Sequence, residues 1–403
     1  MDPYSSHLNE IDEQKKSLVS LLINWAGIHS GSDNLNGLDE MLAALQEAFF
    51  VLGGKMELLT LENRKRLNTN GEITETPLGK ALSITKNPEA PIQILLAGHM
   101  DIAFPTELPL EKEPRVDKEI LCGRGTCDMK GGLLVMLTAL KILDKSPFGE
   151  KVGWRVLITP DEELGSPGSW KLLTQMAKKY NLGLLFEPSL PDGSLVSARK
   201  GSANYSVAIR GKAAHAGRAF HQGHNALTSA ARFILATESL TNLKEGTTLN
   251  IGYLEGGGPV NIVPDKAFCR FNVRVKSAPD LQMVKEKLEK IAEIENNREG
   301  ISLILHEDNE RPPKIFDKKV RALFEALRLS AMHLGFDLDW KATGGVCDGN
   351  TLAGAGLPSI DTLGVVGGNI HTSEEYVIID SLVERSKLTA RFLMQIATGE
   401  VNI

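Results

Sequence analysis

Three short apolar runs in the first half of the chain each stop abruptly at side chains able to hold a metal ion, and that recurrence limits the fold more than any other feature. Residues 92–97 (IQILLA) run into Gly98-His99-Met100-Asp101, residues 154–159 (WRVLIT) into Pro160-Asp161-Glu162-Glu163, and residues 182–186 (LGLLF) into Glu187-Pro188. Runs this short and this apolar read as buried strands. Between the first two, GGLLVMLTALKILDK crowds apolar residues at helical spacing, which predicts a helix over 129–143. Strands alternating with helices predict an α/β layer around a buried sheet, and such sheets bind ligands beyond the carboxyl ends of their strands.

A chain of 403 residues exceeds the usual size of one domain. Its texture changes near Gly201, where strand-like segments at 203–210 (ANYSVAIR), 248–253 (TLNIGY) and 267–275 (AFCRFNVRV) alternate polar and apolar residues. Helical stretches at 225–240 and 281–296 accompany them. That is an α+β pattern with one open sheet face. After Arg311-Pro312-Pro313 the α/β texture resumes with an amphipathic helix at 318–334 and a glycine-rich, loop-heavy tail. The expected architecture is a catalytic α/β domain with a central mixed sheet flanked by helices (1–200 and 313–403), interrupted by a smaller α+β domain at 201–312.

The net charge of −6, from 45 basic and 51 acidic residues, gives no electrostatic case for nucleic acid or an anionic membrane surface. No apolar run reaches the roughly 20 residues that span a bilayer. The first residues lack the basic stretch and apolar run of a signal peptide. Four scattered cysteines are too few for a disulfide framework and predict free thiols in a reducing, cytoplasmic compartment.

Each candidate site residue also has a plain structural reading. His99 and Asp101 stand two apart, so they can point the same way and act as ligand and orienting carboxylate, or as a loop histidine and a helix cap. Asp128, in GRGTCDMKGG, suits a helix N-cap, yet the glycines around it permit close backbone approach and its two oxygens can bridge two cations. Glu162 and Glu163 diverge in direction, so one can bind a metal while the other moves a proton, unless both are solvated. Glu187 ends a strand, and His371 follows a glycine-rich apolar stretch, GVVGGNIHTSEE. Together, His, Asp, Glu, Glu and His at separate element ends suit a mixed nitrogen and oxygen zinc site.

The motifs GHMD, GRGTCDMKGG, DEELGS, FEP and GNIHTSEE, in this order, resemble the aminoacylase and carboxypeptidase superfamily that uses two zinc ions, and the match covers nearly the whole chain. The resemblance implies that Asp128 bridges the metals, with His99 and Glu187 on one zinc and Glu163 and His371 on the other; cobalt or manganese can take their place. It also implies that Glu162 is the general base and Asp101 the orienter of His99. His215, in GKAAHAG, resembles the lid histidine that reaches a partner subunit's site to hold a developing oxyanion, which implies a homodimer through the lid. Asn261, Arg274 and Arg311 fall where relatives place groups for a substrate carboxylate, a task that suits arginine. For the two arginines, surface charge or a hinge ion pair is the competing reading.

The segment TGGVCDGN followed by DTLG resembles the glutamate carboxypeptidase branch. That implies removal of a C-terminal amino acid from a small peptide or N-acyl conjugate; the alternative is an N-acyl-amino-acid deacylase of the acetylornithine or succinyl-diaminopimelate type. A non-catalytic metal- or peptide-binding protein on the same fold is the reading from a different class, and it predicts the loss of a ligand or of the base. No such loss is seen in the motifs.

Overall fold

The computed structural model describes residues 2–104 and 113–402. Its central sheet has the strand order Lys55–Leu59, Ala81–Lys86, Val152–Thr159, Ile92–His99, Leu182–Leu185, Ser359–Ile360. The last four run parallel; Ala81–Lys86 pairs antiparallel with Val152–Thr159, and Lys55–Leu59 pairs antiparallel with Ala81–Lys86, so the sheet is mixed. His99 lies opposite Thr159 and Ala97 opposite Leu185. This register brings three strand ends to one edge, where the polar residues that follow them meet.

Val152–Thr159 and Leu182–Leu185 are buried along nearly their whole length, which explains why they read as continuous apolar runs. The helix Gly131–Lys145 lies between this sheet and the helix Ile379–Thr398 and is buried on almost every side. It begins two residues later than the apolar pattern predicts, because Asp128 and Met129 have non-helical backbone. The tail expected to be mostly loop instead contains the helices Asp348–Gly354 and Ile379–Thr398. Buried polar side chains hid the second of these from its apolar spacing: Ser386 Oγ donates to Leu382 O at 2.6 Å, and Arg385 donates to Gly193 O at 2.6 Å.

Residues 201–311 form a separate antiparallel sheet in the order Thr248–Gly256, Lys266–Val275, Gly201–Arg210, Ser302–Arg311. The helices Ala226–Glu238 and Ala278–Asn296 cover one face, packing on Ala203, Tyr205, Val207 and Ile209. The alternate residues, Asn204, Ser206, Ala208 and Arg210, point to the other face. On that face rests a hairpin, Arg64–Leu67 and Ile73–Thr76, that the alternation of the first half does not reveal. Its Leu67 is buried against Ala208 and Phe268, and at its tip Asn70 accepts from Lys266 Nζ at 3.3 Å.

Candidate active site and metal centre

His99, Asp128, Glu163, Glu187 and His371 converge at the carboxyl edge of the central sheet. Nε2 of His99 lies 3.2 Å from Asp128 Oδ1 and 3.8 Å from Glu187 Oε2. Nε2 of His371 lies 3.3 Å from Asp128 Oδ2 and 3.3 Å from Glu163 Oε2. Each oxygen of Asp128 thus faces its own histidine and carboxylate, the arrangement a carboxylate bridging two cations requires. His99 Nε2, Asp128 Oδ1 and Glu163 Oε1 are buried with no hydrogen-bond partner. Orphaned polar atoms of this kind are costly, and a bound cation removes the deficit. Ligand atoms of His99, Asp128 and Glu163 all fall within 4.8 Å of one another.

The supporting contacts explain why these side chains stay in place. The Nδ1 of His99 lies 3.0 Å from the carbonyl of Asp101 and 3.3 Å from its Oδ1; a proton there leaves Nε2 free for a metal. The Asp101 carboxylate also accepts from Ser32 Oγ at 2.6 Å and from the backbone N–H groups of Glu162 at 3.2 Å and Glu163 at 3.0 Å. One aspartate therefore orients both the histidine and the loop that carries the two glutamates. Gly132 lets the helix approach the sheet, since a Cβ there would lie 1.9 Å from Phe186 O, next to Glu187.

Glu375 is a supporting residue that motif reading passed over. Its buried carboxylate accepts from Gly125 N and Cys127 N, both at 2.8 Å, and from Asp128 N at 2.9 Å. Burial pushes its pKa up to about 7 against the pull of those three N–H groups. Its signal was an acid directly before the strand Tyr376–Ile378, within the quoted GNIHTSEE. It ties the His371 loop to the turn bearing Asp128. His371 itself has φ +63° and Asn369 φ +54°, sparsely populated values for residues with a side chain.

Glu162 lines a cavity of about 550 Å³ that opens from the metal centre. Burial raises its pKa well above the usual carboxylate range, and the Arg311 guanidinium, with Nη2 2.8 Å from Glu162 Oε1, pulls it back. Arg311 is buried as well, donating to Ser166 Oγ at 2.8 Å and lying 3.2 Å from Asp348 Oδ1. Its guanidinium is committed to Glu162 and Asp348, a particular pairing that the sequence reading of a hinge ion pair did not name. Arg199, also on the cavity wall, is held by Asp361 at 2.8 Å. Arg274 lines the same cavity without an ion pair among the described residues, donating only to Asn272 Oδ1 and Gly344 O. His215 and Asn261 lie in the 201–311 domain outside this cavity: His215 bridges to Ile262, and Asn261 O accepts from Ala216 N at 2.9 Å.

A row of amides joins the sheet of residues 201–311 to the loop bearing Glu162 and Glu163. Arg274 Nε donates to Asn272 Oδ1 at 2.9 Å, Asn272 Nδ2 to Asn204 Oδ1 at 2.6 Å, and Asn204 Nδ2 to Asn309 Oδ1 at 3.0 Å. Asn309 Nδ2 then donates to Leu164 O at 3.2 Å. The turn beyond Leu164 needs Gly165, whose φ is +88° and whose Cβ would stand 2.4 Å from Asn309 Nδ2.

Residues 95–395 match the model of peptidase family M20/M25/M40. Carboxypeptidase G2 of a Pseudomonas species is 31% identical over 76% of this chain and 74% of its own length. A succinyl-diaminopimelate desuccinylase of Hahella chejuensis is 28% identical over 85% of this chain and 92% of its own. The M20 metallo-carboxypeptidase Sso-CP2 of Sulfolobus solfataricus superposes with a TM-score of 0.72 at 20% identity, covering 94% of this chain and 99% of that one. A dinuclear metal-binding M20 peptidase of Bacillus subtilis gives 0.64 at 17% identity, over 96% and 100%. The chain belongs to peptidase family M20/M25/M40 and is a metal-dependent hydrolase of peptide or acyl–amino acid bonds.

Proposed function

We propose that this enzyme uses two zinc ions to cut an amide bond beside a free carboxylate, releasing a C-terminal amino acid from a small peptide or N-acyl conjugate. The observation that carries the reading is the division of Asp128, one oxygen toward His99 and Glu187 and the other toward His371 and Glu163. The mixed nitrogen and carboxylate donor set suits zinc, and cobalt or manganese can serve in its place. When bound, the two ions supply Lewis acidity that acidifies a water and polarises a carbonyl.

The chain's own residues do the rest. Glu162 takes a proton from the attacking water and hands it to the leaving nitrogen. Arg311 favours the ionised form of Glu162 that this task requires. Arg274, the cavity arginine with no carboxylate partner, receives the substrate's free carboxylate in a bidentate grip.

Residues 1–200 and 313–403 act as the catalytic domain and 201–312 as a lid that also dimerises. A homodimer is supported by the lid's edge strand Thr248–Gly256, where Tyr253 and Leu254 are exposed beside Val260 and Ile262. In that dimer His215 and Asn261 of one copy serve the site of the other, His215 facing the developing oxyanion. Four free thiols support a cytoplasmic setting. The likeness to a desuccinylase over most of the chain favours, as a second reading, removal of an acyl group from an N-acyl amino acid by the same residues.

Hydrolysis of dipeptides and N-acyl amino acids, with and without added zinc, tests the reading. Glu162→Gln should keep two metal ions per chain and lose about 10³-fold or more in kcat. Undiminished turnover in that variant would remove Glu162 as the base.

A further inference from the structure

Where the hairpin strand Arg64–Leu67 crosses the open face of the 201–311 sheet, the two enclose a cleft of about 350 Å³. It is separate from the metal cavity, because the hydrogen-bonded row from Asn204 through Asn309 to Leu164 O stands between them. Arg64 and Arg66, two apart on one strand, project the same way into the cleft, and Arg270 enters it from the sheet. In a chain of net charge −6 this is a local concentration of the opposite sign.

The three cations are poorly compensated. Arg64 is mostly buried, and its ion-pair partner is the exposed Asp33, 3.8 Å away. Burial lowers its pKa, and the nearby charge of Arg66 adds to that effect while Asp33 and Asp308 oppose it. Arg66 and Arg270 have no ion pair among the described residues. Arg270 is instead held over Tyr253 and Phe268, 5.4 and 5.2 Å from their ring centroids, which fixes its guanidinium without neutralising it. Of the two acids on the cleft wall, Glu163 is turned to His371 in the metal centre, 3.3 Å away, and Asp308 accepts from Ser206 Oγ at 2.7 Å. Asp308 therefore stands alone against three guanidinium groups, which leaves the cleft with the counter-charge of one divalent anion. Two of these cations belong to the hairpin and one to the sheet, so their repulsion works against the seat that Leu67 makes on Ala208 and Phe268.

We propose that this cleft binds a divalent oxyanion of the phosphate class, which clamps the hairpin to the 201–311 sheet. Planar guanidinium groups suit phosphate oxygens, and an anion between Arg66 and Arg270 turns the repulsion across the cleft into a bridge. The anion lies outside the metal cavity and takes no part in hydrolysis. It joins segments about two hundred residues apart in the chain, and by binding only the folded state it raises stability as its concentration rises. The cleft is larger than inorganic phosphate needs, so the oxyanion is either free phosphate or the phosphate group of a small metabolite.

Calorimetric titration of the metal-loaded enzyme with inorganic phosphate, glycerol phosphate and acetate, at constant ionic strength and mildly alkaline pH, tests the site. One of the two phosphates should bind at least about 10-fold more tightly than acetate, and the tighter of them identifies the source. Arg66→Gln and Arg270→Gln should each weaken that binding by about 10-fold or more, the range for a charge-assisted contact. Arg66→Lys, which keeps the charge and loses the planar fork, should weaken it less. Lys65→Gln, whose exposed side chain pairs with Glu75 on the same hairpin, should bind as the wild type does. Phosphate held by the metal ions is a second event that neither arginine substitution touches. Thermal melting reads the clamp: saturating phosphate should raise the midpoint of the wild type above its value in chloride of equal ionic strength, and the rise should vanish in Arg66→Gln. Without phosphate that variant should melt no lower than the wild type, because it removes a repulsion. Phosphate affinity equal in the wild type and both glutamine variants overturns the site, as does acetate bound as tightly as phosphate.

Discussion

The two halves of the metal centre are built to different standards. On the deep side, His99 and Glu187 stand at the ends of adjacent parallel strands, and the His99 side chain is 1% exposed. On the shallow side, His371 comes from a loop, in left-handed backbone, with its side chain 51% exposed. Sheet register fixes the first pair before any metal arrives, whereas the second depends on a loop held by Glu375. A preorganised ligand set binds more tightly than one that must be ordered. In the proposed two-metal site, the difference predicts two affinities, the deep one higher.

Chelator titration of the zinc-loaded enzyme, followed by metal analysis, breaks or sharpens that comparison most directly. The wild type should release zinc in two steps. His371→Ala should retain one ion and release it in a single step, with turnover lower by about 10³-fold, the several kcal/mol that a Lewis acid supplies. Release of both ions together from the wild type, or two ions still bound by His371→Ala, would erase the distinction.

Glu375→Gln asks what holds the shallow half. The substitution keeps the size of the side chain but leaves one acceptor oxygen and no charge for the three N–H groups of Gly125, Cys127 and Asp128. Metal affinity at the weaker step should fall by about 10- to 100-fold, the usual cost of losing a supporting contact, and the tighter step should move much less. Equal losses at both steps would mean that Glu375 serves Asp128 alone, and that the His371 loop needs no such tether.

The same division runs through what the sequence disclosed. The metal-capable residues were legible because each follows an apolar run or a glycine-rich turn, and parallel register carries such ends to one edge: His99 opposite Thr159, Ala97 opposite Leu185. Arg311 was read for the charge it could offer a substrate, but only the tertiary fold brings Glu162 and Asp348 to its guanidinium. The Arg64–Thr76 hairpin left no apolar signature, since Leu67 is its one fully buried residue. The final helix was concealed by polar residues whose partners are distant in sequence or on the preceding turn. Local pattern reports what a residue is next to in the chain; apart from the hairpin's own pairing, the missed contacts join distant segments or depend on buried polar groups.

The amide row is the plainest such case, and it yields the smallest expected effect. Each of the three asparagines accepts from one neighbour and donates to the next, in one direction from the donor Arg274 to the acceptor Leu164 O, so the hydrogen bonds polarise one another. It links the arginine proposed to grip the substrate with the loop carrying Glu162 and Glu163. Asn204→Asp preserves shape but removes the donor to Asn309 Oδ1, leaving two acceptors face to face across the 3.0 Å contact. Stability should fall by about 1–3 kcal/mol, and kcat/KM by a few-fold more than stability alone explains. Combining Asn204→Ala with Asn309→Ala in a double-mutant cycle on kcat/KM should show a coupling energy of about 1 kcal/mol. Strict additivity would mean that the amides pack the interface without transmitting position from the lid to the catalytic loop.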